Sequence, residues 1–125
     1  MTRTELDTIL QAHKLWIDTD GREGKRADLW RADLRKADLR DADLRYANLR
    51  GADLWRADLE DANLWSANLR GAYLVVANLA GANLRGADLR ETNLEGAYLE
   101  GANVTDTILE KKEEDRGGWH ALPTS

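Results

Sequence analysis

The stretch ADLWRADLRKADLRDADLRY, residues 27–46, is one five-residue unit written four times: Ala, then Asp or Asn, then Leu, then two variable residues. The unit repeats without interruption to residue 111, which makes 17 units. Leu stands at the centre of every unit except at Val104, and Ala stands two residues earlier except at Thr92 and Thr107. A repeat this regular is stronger evidence for the fold than any local propensity.

A period of five residues fits neither regular element. Each helical residue turns by about 100°, so Leu at every fifth position would spread around all sides of a helix. In a flat strand an odd spacing would send successive Leu side chains to opposite faces. A bend in every unit removes both conflicts, because it turns each Ala-Leu pair toward a common axis. Gly collects at the second variable position, where we expect the bend, and the pattern therefore predicts a β-solenoid.

The pattern closely resembles the pentapeptide-repeat family, whose repeat is A(D/N)LXX, over residues 27–111. The resemblance implies an all-β fold, a right-handed quadrilateral β-helix with four units in each coil and about four coils stacked as a solenoid. It also implies a small bacterial or phage member with an N-terminal α-helical cap. Residues 1–26 would then form the cap and a turn, residues 27–111 the β-helix, and residues 112–125 a C-terminal cap or a flexible tail.

The segment before the repeat has the spacing of an amphipathic helix over residues 4–17. Thr4 is the predicted N-cap, with Asp7 three positions on. The expected buried stripe is Leu6, Ile9, Leu10, His13, Trp16 and Ile17. We expect this stripe to cover the open first coil and its strand edge. Trp119 and Leu122 could cover the other end, and an uncovered last coil would favour an end-to-end homodimer over a monomer.

Composition and motifs narrow the function classes. The net charge is -5 and there is no cysteine, which argues against direct nucleic-acid binding and excludes thiolate chemistry. No apolar run suits a membrane span or a signal peptide, so we expect a cytoplasmic protein without a membrane partner. The histidines are His13 and His120, and no nucleophile, phosphate loop or metal motif accompanies them. The sequence predicts no enzyme, no cofactor and no metal, but a protein-interaction module.

One candidate surface is acidic. With four units per coil, residues 20 apart stack in columns, and the face centred on Leu39, Leu59, Leu79 and Leu99 has a net charge of -5 while the other three sum to zero, zero and +1. Its acidic residues, set against Arg40 alone, are Asp38, Asp41, Asp58, Glu60, Asp61 and Glu100. Some proteins of the family resembled here mimic DNA, which implies a gyrase-like topoisomerase or a phage-targeted host defence complex as partner.

The alternative is a scaffold that docks a partner protein through exposed aromatic side chains without DNA mimicry. The predicted patch on one face is Trp55, Tyr73, Val75 and Val76. Contiguous exposed apolar surface usually marks a partner site, and Trp and Tyr are favoured at such sites. We expect salt to weaken binding at the acidic face and to leave binding at the aromatic patch unchanged.

Overall fold

The structure, a computed structural model, describes residues 1–109. Its one helix in this part, α1, spans Arg3–Asp18. The β-structure of the described repeat consists of single-residue parallel bridges, from Asp28↔Asn48 to Asp88↔Ile108. Every bridge joins residues 20 apart, so four five-residue units separate each residue from its neighbour in the next layer.

Backbone hydrogen bonds hold the layers together in a regular ladder. The Leu29 N–H donates to the Asn48 carbonyl at 2.7 Å, and the Asn48 N–H donates to the Ala27 carbonyl at 3.0 Å. The same pair of bonds recurs at each bridge along the chain. Satisfying the backbone between layers is what allows Ala and Leu to be buried together at the centre.

A tight turn closes each unit. The Ala32 N–H donates to the Leu29 carbonyl at 3.0 Å, and equivalent bonds recur along the repeat. The second variable residue of every described unit has a positive φ, as a type II turn requires. The predicted bend is therefore confirmed, but Gly is only part of the pattern, because ten of these corner positions hold other residues, among them Tyr46 at 65° and Val76 at 59°.

The Asp or Asn of each unit has a structural role at this corner. Its side-chain oxygen accepts the N–H two residues later, at 3.1 Å both for Asp58 with Glu60 and for Asn83 with Arg85. This local bond explains why a short side chain with a carbonyl oxygen precedes Leu. The units that depart from the pattern, at Tyr73, Tyr98 and Ile108, carry no such oxygen.

The core is a column of small and large side chains. From Leu29 to Leu89 every central Leu is buried, and from Ala47 to Ala87 every Ala at the first position of its unit is buried. Burial weakens in the last described coil, where Leu94 and Val104 are partly exposed. The prediction that Ala and Leu face inward is confirmed.

The N-cap of the helix lies two residues earlier than the sequence analysis placed it. The N-cap is Thr2, whose hydroxyl accepts the Glu5 N–H at 3.1 Å while the Glu5 carboxylate accepts the Thr2 N–H at 3.0 Å. Thr4 is already inside α1, so its assignment as N-cap with Asp7 was wrong. Glu has the longer side chain, which reaches back to the cap residue and completes the reciprocal pair of bonds.

The predicted stripe of α1 does face the repeat. Leu6 and His13 are buried, and Leu6 belongs to the same apolar core as the central Leu residues. The Ala27 N–H donates to His13 Nδ1 at 2.9 Å, and the Lys25 N–H donates to the Ala12 carbonyl at 3.0 Å. These two hydrogen bonds attach the start of the repeat to α1.

Candidate protein-interaction faces

The 20-residue register sorts the outward side chains into four faces. Each face is named for an outward residue or its charge and is defined by the central residues of its units. The four are the arginine face (Leu29, Leu49, Leu69, Leu89), the Trp55 face (Leu34, Leu54, Leu74, Leu94), the acidic face (Leu39, Leu59, Leu79, Leu99) and the Tyr46 face (Leu44, Leu64, Leu84, Val104). Neighbouring layers lie about 4.8 Å apart. Side chains of the same column can therefore interact directly.

Part of the acidic face is neutralised by Arg40. Its guanidinium contacts the Asp38 carboxylate at 2.8 Å and lies 3.9 Å from that of Asp58. Hydrogen bonds from the Arg40 side chain and backbone hold the pKa of Asp38 well below its usual range. Arg3 of α1 also donates to the Asp38 carbonyl. Asp38 is thus less available to a partner than the sequence suggests.

The remaining acidic residues form the negative centre of this face. Asp41, Glu60 and Asp61 make no ion pair with any cation of residues 1–109. Asp41 and Asp61 occupy one corner column in consecutive layers, and Glu60 precedes Asp61. The Asn78 amide donates to Glu60 at 3.4 Å, and higher up the Tyr98 hydroxyl donates to Glu100.

The arginine face offers a weaker positive field than its sequence implies. Arg70 pairs with Glu91 at 3.3 Å, and Arg90 pairs with Asp88 at 2.7 Å. The Arg70 guanidinium lowers the pKa of Glu91, and that of Arg90 lowers the pKa of Asp88. These pairs reduce the free positive charge available to bind a phosphate chain.

The structure brings the four residues of the predicted aromatic patch onto the Trp55 face. Tyr73 and Val76 are 42% and 49% exposed, while Trp55 and Val75 are half-buried. Two cations cover the Trp55 ring: the Lys36 ammonium lies 5.4 Å and the Arg56 guanidinium 4.9 Å from its centroid. Because of these cations, we now expect binding at this patch to depend on the charge of the partner.

A second aromatic cluster lies where α1 meets the Tyr46 face. Trp16 and Tyr46 meet edge to face at 6.3 Å between ring centroids, and Tyr46 and Trp65 at 5.0 Å. His13 stacks on Trp16 at 5.7 Å. A groove of about 390 Å³ borders the three large rings. The sequence analysis missed this cluster. Tyr46 and Trp65 are 19 residues apart, which places them in neighbouring layers and could have indicated their contact, but no sequence pattern connects them with Trp16.

Metal sites, membrane-spanning helices and the two histidines are further candidate functional features. Residues 1–109 contain no group of three or more His, Cys, Asp or Glu side chains placed to hold a metal ion. In the same residues, no helix has the length and apolar character needed to cross a bilayer. His13 Nδ1 is engaged by the Ala27 N–H. His120, Trp119 and Leu122, including the predicted C-terminal cap, lie outside the described residues.

A coil of five-residue units with buried Ala and Leu defines a class of solenoid proteins, and the sequence comparisons agree. The model of the pentapeptide repeats matches residues 25–61, 37–74, 57–96 and 72–110. The chain belongs to the pentapeptide repeat family. Proteins of this family adopt a right-handed quadrilateral β-helix and generally serve as structural or protein-interaction modules.

Two solved structures illustrate the likeness. A pentapeptide repeat protein from the cyanobacterium Cyanothece 51142 is 44% identical, with a TM-score of 0.64, and the match covers 66% of this chain and 56% of that one. A pentapeptide repeat protein from the Arabidopsis thaliana thylakoid lumen is 31% identical, with a TM-score of 0.59, over 60% and 52% of the two chains. The comparison with curated proteins gives no match.

This chain spans about half the length of the two structures that it matches. One of these relatives comes from a thylakoid lumen, so the cytoplasmic location expected from the sequence stays a prediction. The bacterial or phage source also stays a prediction.

Proposed function

We propose that this chain is a non-enzymatic DNA mimic, which inhibits a DNA-binding protein by presenting its acidic face in place of a duplex. The target class is a gyrase-like topoisomerase or a host defence complex that acts on phage DNA. In this proposal residues 1–26 cap the solenoid, residues 27–111 carry the face, and the module works without a cofactor, as a monomer or an end-to-end homodimer.

The observation that carries the proposal is the ladder of carboxylates without cations at Asp41, Glu60 and Asp61. Backbone hydrogen bonds hold the backbone of these residues in two successive layers, so the three carboxylates form one compact cluster, and Glu100 adds a further carboxylate two layers along the same face. Four coils at about 4.8 Å span roughly 20 Å, which matches about six base pairs. A rigid array of this kind loses little entropy on binding a cationic groove.

The experiment is a pull-down from bacterial lysate, with the captured proteins then challenged by duplex DNA. Baits are the wild-type chain and Glu60→Lys/Asp61→Lys. If the face mimics DNA, the wild type captures a DNA-binding protein that duplex DNA releases, and the double variant loses at least about tenfold of that capture, since like charges now face the cationic site.

The matched control is Glu95→Lys/Asp106→Lys, which makes the same change in net charge on two other faces. Its residues occupy the same two positions in their units as Glu60 and Asp61, although Asp106, unlike Asp61, also pairs with Arg85 at 3.6 Å. Control and wild type should capture the target alike. DNA mimicry is contradicted if Glu60→Lys/Asp61→Lys still captures the target protein, or if duplex DNA does not release the protein that the wild type captures.

The second candidate function is a scaffold that docks a protein through the Trp55 face. The exposed Tyr73 and Val76 side chains favour it, because apolar surface at the centre of an interface supplies much of its binding energy. A protein that is captured by the charge variants of the acidic face but lost by Tyr73→Ala/Val76→Ala would support the scaffold over the mimic.

A further inference from the structure

The cations of the Trp55 face differ from most other cations of the repeat. Lys36 and Arg56 stand in one corner column, one layer apart, and both lie over the Trp55 ring. Neither forms an ion pair with a carboxylate of residues 1–109. Their neighbour Arg35, by contrast, binds Asp33 at 2.8 Å. Two fixed positive charges therefore remain available beside an aromatic ring.

The same face becomes apolar one layer higher. Val76 continues the column of Lys36 and Arg56, and Val75 continues the column of Trp55. Tyr73 lies beside them and is 42% exposed. The Trp55 face is thus divided along the rod into a cationic aromatic part, at the end near α1, and an apolar part.

We propose that the Trp55 face binds an extended acidic peptide segment of a partner protein. Carboxylates of the peptide pair with Lys36 and Arg56, and an apolar side chain further along packs on Tyr73, Val75 and Val76. Trp55 holds both cations in place, since the electron-rich face of an indole attracts a cation. Positioned cations lose less entropy when they bind a carboxylate.

The neighbouring carboxylates favour a peptide over a nucleic acid. Asp33 and Asp53 lie on the same face within the two lower layers, and Arg35 balances them only in part, at 2.8 and 3.9 Å. A continuous chain of phosphates crossing this face would meet both carboxylates. A peptide can place acidic residues at Lys36 and Arg56 alone and present neutral residues to Asp33 and Asp53.

This inference concerns a different face from the proposed DNA mimicry, so either can fail alone. The test uses fluorescence anisotropy with a short labelled peptide in which Glu and Asp alternate with Leu. The wild-type chain should bind it, and added salt should weaken binding. Lys36→Glu/Arg56→Glu should reduce affinity by at least about tenfold, because two attractive contacts become repulsive.

Two controls separate this site from general electrostatics. Arg50→Glu/Arg85→Glu makes the same change in net charge on the arginine and Tyr46 faces, and its affinity should stay within about twofold of the wild type, since the effect of distant charges is screened. Trp55→Leu keeps both cations but removes the ring, and should weaken binding several-fold.

Three results would overturn the proposal. Equal loss of affinity in both double variants would reduce binding to net charge. A peptide with Lys in place of each acid binding as well as the acidic one would exclude the cations as its determinants. Tighter binding of a single-stranded oligonucleotide than of the acidic peptide would assign the face to nucleic acid, whose bases also stack on aromatic rings.

Discussion

At the corner of each unit a single residue adopts a left-handed backbone, and Val76 is the residue least suited to it. Its φ is 59°, a region in which a β-branched side chain is strained. The next residue in its column, Gly96, adopts a φ of 69° without a side chain. Val76 therefore keeps an exposed apolar side chain at this corner at a cost in stability.

Val76→Gly should raise the free energy of unfolding by about 0.5–1 kcal/mol, because relief of the left-handed strain exceeds the extra backbone entropy of Gly. The matched control is Val75→Gly, which should lower it by about 1 kcal/mol, since the backbone there is not left-handed and the half-buried side chain is lost. Urea denaturation followed by circular dichroism measures both. A destabilised Val76→Gly variant would show that packing of Val76 outweighs its strain.

The inward side chains could be predicted from the sequence, whereas the contacts of the Trp55 ring could not. The inward Ala and Leu follow from a period of five, since only a bend in each unit buries them all. The cations on Trp55 do not follow from it. The 20-residue spacing of Lys36 and Arg56 places them in one column, but it does not specify the side-chain conformation of Trp55, which brings its ring within 5.4 Å of both cations.

At the scale of elements, the contact between α1 and the first coil includes one buried histidine. His13 is fully buried, its Nδ1 accepts the Ala27 N–H, and its Nε2 has no hydrogen-bond partner in the described residues. Burial lowers the pKa of His13, and the backbone of Arg45 and the charge of Asp43 oppose this shift in part, while Arg45 and Arg26 add to it. A second proton on the ring would displace the bond from Ala27.

Stability should therefore fall as the pH is lowered through the unfolded pKa of histidine. The folded pKa lies below that value, so the unfolded chain takes up the proton first, and the free energy of unfolding declines from about pH 6.5 toward the folded pKa, by up to about 1.4 kcal/mol per pH unit. Asp43, whose pKa Arg45 lowers, adds a separate loss below about pH 4.

Urea denaturation at a series of pH values measures this slope. His13→Gln should be flat between about pH 5 and 7, because no group at that position titrates there. The control is His120→Gln, which removes the other histidine and should keep the wild-type slope. An unchanged slope in His13→Gln would show that His13 is not its source.

The elements also show why the helix start was misplaced. Thr2-x-x-Glu5 and Thr4-x-x-Asp7 both have the spacing of a cap, but the reciprocal capping box takes Glu or Gln at its last position, which favours Thr2. The longer Glu5 side chain reaches the backbone N–H of the cap residue, so the earlier pair closes both bonds. The aromatic contact of Trp16 with Tyr46 likewise depends on where the end of α1 meets the coil, which no local pattern specifies.

At the scale of the whole molecule, the repeat separates the core from the surface. Apart from Thr92, Val104 and Thr107, every unit presents one Ala and one Leu inward. Such units can therefore occupy any face, whereas the outward residues depend on register. The composition of the acidic face and of the Trp55 face is thus set by the 20-residue register of the coil. A change of register should rearrange both faces while leaving the core intact.

Deletion of residues 77–81, one complete unit, tests this separation. The chain resumes at Ala82 with the pattern unbroken, so we expect a folded protein that loses at most about 3 kcal/mol of unfolding free energy, the burial of one Leu and one Ala. Deletion of only residues 78–80 should be more damaging, although it removes less, because two residues without a place in the pattern remain at a corner.

The unit deletion also moves every later unit by one face, which places Arg85 in the acidic column above Glu60. The folded variant should therefore lose acidic-face binding although Asp41, Glu60 and Asp61 are unchanged, since a guanidinium one layer away competes with the partner's cations. Binding of the acidic peptide should be retained, because all the residues proposed to contact it, Lys36, Trp55, Arg56, Tyr73, Val75 and Val76, precede the deletion. Circular dichroism with urea, followed by both binding assays on the same sample, separates loss of fold from loss of register. Cooperative unfolding with unchanged binding at the acidic face would contradict the dependence of that face on the 20-residue register.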